Sequence, residues 1–331
     1  MMLDTKRERW ASALLLAAVL GLQGCEDKAA EAPAQPAADE QAASAFAPIT
    51  VTHGLGETVI GKRPERVAAL DMNEVDFLDQ LGVPVAGTVK DFVPHFLKKY
   101  KDDEAVADLG FIVKPNLESV HALKPDLILI SPLQAQHYEE LSSIAPTIHF
   151  DVDYRNSAND HVEVVKENLA TLGQVFGKEK IADEKADSLD KKLEDVKQVT
   201  KDRPEKALIV MHNNGAFSSF GVQSRYGFVF DAFGVKPASE KAEAGLHGQP
   251  ISSEFIQETN PDILFIIDRT AVMEQRPTLN SETMGNPLLR QTEAWKNGRV
   301  IFVDAEAWYV TAASVTSLEL MIDDVIRGYG E

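Results

Sequence analysis

The chain has 331 residues, a formal net charge of −19, 44% hydrophobic residues and a single cysteine. So acidic a balance excludes nucleic acid as a partner. One cysteine excludes an internal disulfide, and the apolar content is ample for a folded core.

In chain order, Lys6, Arg7 and Arg9 precede an apolar run from Ala11 to Leu22. That run is too short for a stable membrane span and fits a secretory signal. It ends in Leu22-Gln23-Gly24-Cys25, which resembles a bacterial lipobox. The resemblance implies a signal peptide over 1–25 with lipidation at Cys25; an ordinary signal peptide with an incidental cysteine is the alternative. Residues 26–48 are Ala, Pro, Glu and Gln with almost no large apolar side chains, and predict a disordered tether.

ITVTHGLGETVI alternates and breaks at Gly54 and Gly56, which predicts a hairpin. RVAAL is a short strand, Asn73 to Leu81 a helix stopped at Gly82, and VPVAGTV another strand. NLESVHALKPDLILIS reads as a helix, a Lys-Pro-Asp stop and a strand, Leu127 to Ile130, with no polar alternation. Such a strand is buried on both faces of a parallel sheet. A helix and the strand APTIHF close this first α/β lobe, 49–158. Residues 159–203 carry few turn signals beyond Gly173 and Gly177, and opposite charges recur at i,i+4; they predict a long connecting helix. The second lobe, 204–331, restarts with the strand KALIVM and the helix SRYGFVFDAF. SSEFIQETNPDILFIID then repeats the earlier helix, Pro-Asp stop and apolar strand. RVIFVD and SVTSLELMIDDVIRGY supply a last strand and helix. The fold class is therefore α/β, two α/β lobes joined by a single long helix.

No HExxH, CxxC or G-x-S-x-G motif is present, and no phosphate-cradling glycine loop. DVDYRN starts like a calcium loop but has Arg155 and Asn156 where an oxygen ligand and a glycine belong. The chain is expected not to be an enzyme. Chemistry instead gathers at loop ends of the second lobe. Arg225 follows the glycine-rich, aromatic GAFSSFGVQS; Arg269 follows DILFIID; His247 sits in GLHGQPIS; Trp308 and Tyr309 follow RVIFVD. Ligands of open α/β sheets sit beyond strand carboxyl ends, where two guanidinium groups, an imidazole, a phenol and an indole would converge. Singly, each has a plainer reading: Arg269 as a surface ion pair, His247 as a solvated loop residue, Trp308 as core.

These segments together resemble the periplasmic siderophore-binding lipoproteins of bacterial iron ABC importers, of the ferric enterochelin and ferric anguibactin type. The likeness covers nearly all of the folded part: ITVTHGLGETVIGKRPERVAALD, NLESVHALKPDLILIS, IAPTIHFD, GLHGQPISSEF, NPDILFIIDRT and AEAWYV. It implies the helical-backbone periplasmic binding protein fold, with a ferric catecholate or mixed-catecholate siderophore in the inter-lobe cleft. By the resemblance, Arg225 and Arg269 face the anionic cargo, and His247 and Tyr309 complete the iron shell when a siderophore supplies too few donors. Fe(III) enters only as part of the cargo, and no intrinsic cofactor is expected. Glu118 and Glu254, at matching places in the repeated unit, would dock onto the membrane permease, which works with its ATPase; as sequence, both are also ordinary first-turn helix acids. The implied protein is a monomer, anchored by its lipid in the periplasm, or on the cell surface in a Gram-positive bacterium. A departure is Leu133, where catecholate binders often carry an arginine; Lys90 or Arg155 would have to substitute. Within the same fold, haem, cobalamin or a metal ion is the alternative cargo.

Overall fold

The computed structural model describes residues 46–154, 157–158, 160–239, 247–276, 279–280, 284 and 286–330. The signal segment, most of the tether, Cys25 and Arg155 lie outside these residues.

The opening hairpin pairs β1 (Ile49–His53) with β2 (Gly56–Ile60) antiparallel, turning at Gly54 and Leu55. There follow β3 (Val67–Ala69), α1 (Met72–Gln80), β4 (Val85–Thr88), α2 (Lys98–Asp102) and β5 (Ala107–Asp108). A small hairpin, β6 (Gly110–Phe111) and β7 (Lys114–Pro115), leads to α3 (Leu117–Leu123), β8 (Leu127–Ile130), α4 (Tyr138–Ile144) and β9 (Thr147–His149). The first large sheet runs β5-β4-β3-β8-β9 with every pairing parallel. All four residues of β8 are buried, as the unbroken LILI run requires.

The connecting region is helical for most of its length, in two helices: α5 (His161–Phe176) and α6 (Glu179–Thr200). Gly177, with φ 63°, ends α5 in the left-handed conformation that glycine adopts freely. The long element that enters the second sheet is thus α6, of 22 residues.

The second lobe holds β10 (Lys206–Asn213), β11 (Ala216–Phe220), α7 (Gly227–Asp231), β12 (Lys236–Pro237), β13 (Gln249–Ile251), α8 (Ser253–Thr259) and β14 (Ile263–Asp268). Then come α9 (Arg269–Glu274), α10 (Glu293–Lys296), β15 (Val300–Phe302) and α11 (Val315–Gly328). Its sheet runs β13-β11-β10-β14-β15, with β12 also beside β10. β10, β14 and β15 are parallel; β11 and β13 are antiparallel.

The repeated unit is a structural repeat. α3 and α8 have seven residues each, a side-chain N-cap (Asn116, Ser252) and a left-handed C-cap (Lys124 φ 51°, Asn260 φ 45°). The Pro-Asp that follows does the same work twice. Asp126 accepts from the backbone of Arg66 at 2.8 Å, and Asp262 from that of Lys206 at 2.9 Å. Each aspartate thereby pins the start of a neighbouring strand, β3 or β10. Both motif prolines begin a strand approach where a helix cannot continue.

One buried apolar cluster runs through α1, β8, α5, α6, α11 and the inner face of the second sheet. The lobes therefore share a core rather than meeting across a wet hinge. Polar ties reinforce it. Asp76 of α1, fully buried, accepts from the Thr316 backbone at 2.8 Å and its hydroxyl at 2.6 Å, so a first-lobe carboxylate caps the first turn of α11. Asn73 Oδ1 accepts from the Ala313 backbone at 3.1 Å. Burial outweighs these bonds and raises the Asp76 carboxyl above its ordinary pKa.

Candidate functional site

A cavity of about 590 Å³ opens between the lobes, within the range of about 300–1,000 Å³ usual for small-molecule sites. Arg225, His247, Arg269 and Tyr309 all line it from the second lobe. The first lobe contributes Phe92, Phe111, Ile112, Val113, Leu133 and Tyr154, with Asp91 and Lys114 as its charged members. A neighbouring cavity of about 410 Å³ shares Phe92 and Val310 but is lined by Asp268, Asp304 and Glu306 beside Lys101 and Arg276. Those acids make it a poor seat for an anion.

Local structure explains why the second-lobe residues meet. Arg269 is the first residue after β14, at the carboxyl end of the parallel part of the sheet. Tyr309 lies in a π-helical turn, Ala307–Thr311, closed by Ala312 at φ 63°. A π-turn and a left-handed alanine are both costly, and both gather at functional sites. Gly248, at φ 68°, lets the His247 loop lie against β11; a Cβ there would fall 2.6 Å from the Ser219 carbonyl oxygen.

Both arginines converge on Tyr309. Arg269 Nε donates to the Tyr309 hydroxyl at 2.7 Å, and its Nη1 to Asn213 Oδ1 at 3.1 Å. Arg225 Nη2 donates to the Tyr309 carbonyl at 2.6 Å. The Arg225 guanidinium also lies 5.2 Å from the Tyr154 ring centroid and 5.6 Å from that of Tyr309, distances at which cation–π attraction operates. Arg225 is 8% exposed, and its Nε has no hydrogen-bond partner among the described residues. Beneath it, fully buried Asp71 accepts from Asn73 and from Ser131 Oγ at 2.8 Å each. Desolvation raises the Asp71 carboxyl, while these bonds and the Arg225 charge oppose the rise. Asn73 Nδ2 donates in turn to the Tyr154 hydroxyl at 2.9 Å. Burial pushes that phenol well above its ordinary pKa.

Two expectations need correction. Trp308 does not line the cleft. Its indole is fully buried, with Nε1 donating to Asp324 at 2.9 Å, because Trp308 lies on the core-facing side of the π-turn. Lys90 does not replace the missing first-lobe arginine; its ammonium donates to the carbonyls of Lys101 and Asp103 and is absent from the cleft lining. Leu133 itself does face the cleft. Tyr154 and the hairpin residues Phe111 and Val113 were missed. The signal for Tyr154 was its place just after β9, matching Tyr309 after β15. Glu118 and Glu254 are exposed second residues of the repeated helices, away from the cleft. Among the described residues no three His, Cys, Asp or Glu side chains are grouped to hold a metal ion.

The family model for a periplasmic binding protein matches residues 67–307. The chain belongs to this family. The periplasmic binding protein is 59% identical over 320 residues to the ferric-anguibactin-binding protein FatB of Vibrio anguillarum, covering 96% of this chain and 97% of that protein. It is 40% identical to the petrobactin-binding protein YclQ of Bacillus subtilis, over 85% and 88% of the two chains. Among solved structures it is similar to the siderophore binding protein BauB bound to a complex of two acinetobactin molecules and ferric iron. That match has a TM-score of 0.82 and 62% identity, over 85% of this chain and 98% of that one. The resemblance drawn from the sequence, and the two-lobed α/β fold it implied, are borne out.

Proposed function

We propose that this protein is the substrate-binding component of an ABC importer, taking a ferric catecholate or mixed-catecholate siderophore in its cleft and returning it unaltered to the permease. The observation that carries this reading is the convergence of Arg225 and Arg269 on Tyr309 in a cleft that His247 also lines. Guanidinium N–H groups match anionic catecholate oxygens, and the low-dielectric walls strengthen the attraction. His247 and Tyr309 are a nitrogen and an oxygen donor suited to ferric iron. The Arg269 N–H that meets the phenol oxygen would serve a phenolate equally. These two side chains would fill the shell of a siderophore with fewer than six donors. Leu133 leaves the first-lobe wall without the arginine of many catecholate binders, and its one lysine, Lys114, is offset by Asp91, which favours cargo of smaller negative charge than a tris-catecholate.

The test is fluorescence quenching by ferric siderophores of different denticity, on the wild type and on His247→Ala/Tyr309→Phe. Tight binding of ferric catecholates is expected, with the double variant weakened for tetradentate cargo and spared for hexadentate cargo. Absence of quenching by any ferric siderophore would overturn the reading; a Soret band on adding hemin would replace it with haem.

Delivery rests on Glu118 and Glu254. Their matched, exposed positions on α3 and α8 give one acidic contact per lobe for a pseudo-symmetric permease. Glu118→Ala/Glu254→Ala is expected to keep ligand affinity and abolish uptake in cells; a loss of affinity would refute docking. Lipidation at Cys25 would hold the protein at a membrane in the periplasm, or at the cell surface, as a monomer.

A further inference from the structure

Six large hydrophobic side chains are exposed among the described residues, and three of them line this one cleft: Phe111 at 64%, Val113 at 57% and Met273 at 43% exposure. Hairpin tips ordinarily carry Gly, Asn or Asp, and clustered exposed apolar side chains mark a surface that binds something. Here Phe111 ends β6 and the two-residue tip before β7 reads Ile-Val. It is also held in place. Ile112 is 8% exposed, its N–H donates to Asp91 Oδ2 at 3.2 Å, and its carbonyl accepts from the buried Gln134 amide at 2.6 Å. Gly110, at φ 97°, makes the turn possible, since a Cβ would fall 2.8 Å from the Asn116 nitrogen. Ile112 is thus an anchor that holds Phe111 and Val113 outward. Met273 lies on α9 one helical turn after Arg269, so the second lobe sets an apolar side chain beside its cation.

We infer that Phe111, Val113 and Met273 form an apolar jaw that selects cargo by its periphery, which rests on the ferric siderophore reading above. The anionic, iron-bearing centre faces Arg225 and Arg269, and an aromatic or aliphatic scaffold packs into the jaw. All-polar hydroxycarboxylate complexes gain nothing there and are discriminated against. The adaptable Met273 lets scaffolds of different shape fit.

The probes are the ferric complexes of two synthetic bis-catecholamides of equal linker length. One carries a benzyl group on the linker, the other a hydroxymethyl group at the same carbon. The readout is the ratio of their dissociation constants by calorimetry. The wild type is expected to favour the benzyl ligand by about tenfold or more, which corresponds to about 1.4 kcal/mol. At about 25 cal/mol per Å² that needs only about 55 Å² of buried apolar surface. Phe111→Ser/Val113→Ser, and independently Met273→Ser, should each move the ratio toward one. These side chains are mostly outside the core, so the fold survives their loss, and unchanged thermal unfolding checks it. A wild-type ratio near one, or a ratio unmoved in both variants, overturns the jaw while leaving siderophore binding intact. Failure of the wild type to bind either complex or any other ferric siderophore removes the underlying reading, and the jaw with it.

Discussion

Replacing Asp76 tests whether the first lobe caps the last helix. In the wild type its fully buried carboxylate accepts two bonds from Thr316, at 2.8 and 2.6 Å. Asp76→Ala leaves the Thr316 N–H of the first turn without its acceptor. A buried orphan donor costs about 1–3 kcal/mol, and the lost hydroxyl bond adds about 1 kcal/mol more. Relief from desolving the carboxylate offsets part of this, giving a net loss of about 2–3 kcal/mol. Asp76→Asn keeps an acceptor and removes the charge, so its loss should be about 1 kcal/mol or less. The pH dependence has a definite sign. Burial raises the folded-state carboxyl above its unfolded value, so the native state binds more protons in the window between the two. The aspartate's contribution therefore falls as pH rises through that window, and Asn should compare better with wild type near neutrality than in mild acid. Urea unfolding followed by circular dichroism measures both effects. The shared core predicts one transition for the two lobes. Equal losses for Ala and Asn, or a loss for Ala below about 0.5 kcal/mol, would refute the cap, since even an ordinary hydrogen bond contributes about that much.

Other outcomes follow from the same contacts. His161 is stacked on Phe228 at 4.2 Å with Nε2 bonded to the Ala312 carbonyl at 2.6 Å, and burial lowers its pKa to about 4. The unfolded chain then takes up the proton first as pH falls below the ordinary value of 6.5. Wild type should lose about 3 kcal/mol relative to His161→Gln on going from neutrality to about pH 4; parallel urea midpoints across that range would contradict it. Gly248→Ala puts a Cβ 2.6 Å from the Ser219 carbonyl at a positive φ of 68°. It should shift the His247 loop and weaken ferric siderophore binding about tenfold or more, with a stability loss of about 1 kcal/mol; unchanged affinity by titration would mean that the loop's position is not critical.

Much of this protein was legible in its sequence because the signals were local. Unbroken apolar runs such as Leu127 to Ile130 fixed the buried parallel strands, and paired Pro-Asp stops exposed the repeat. Gly54, Gly82 and Gly177 marked turns, although Gly177 was not recognised as dividing the connecting region into two helices. Arg225, His247, Arg269 and Tyr309 were legible as candidates because each follows a strand or frames a glycine loop. Tertiary structure alone decided what the side chains do. Trp308 and Tyr309 are neighbours in sequence, yet a π-turn sends one into the core and the other into the cleft. Lys90 could have supplied a first-lobe cation, but two carbonyls hold its ammonium and Lys114 lines the cleft instead. Phe111 and Val113 face outward only because Gln134 and Asp91, remote in sequence, grip Ile112 between them. Hydrophobic period and turn chemistry are set by near neighbours in the chain. Side-chain direction at a site is set by contacts between segments that are remote in sequence.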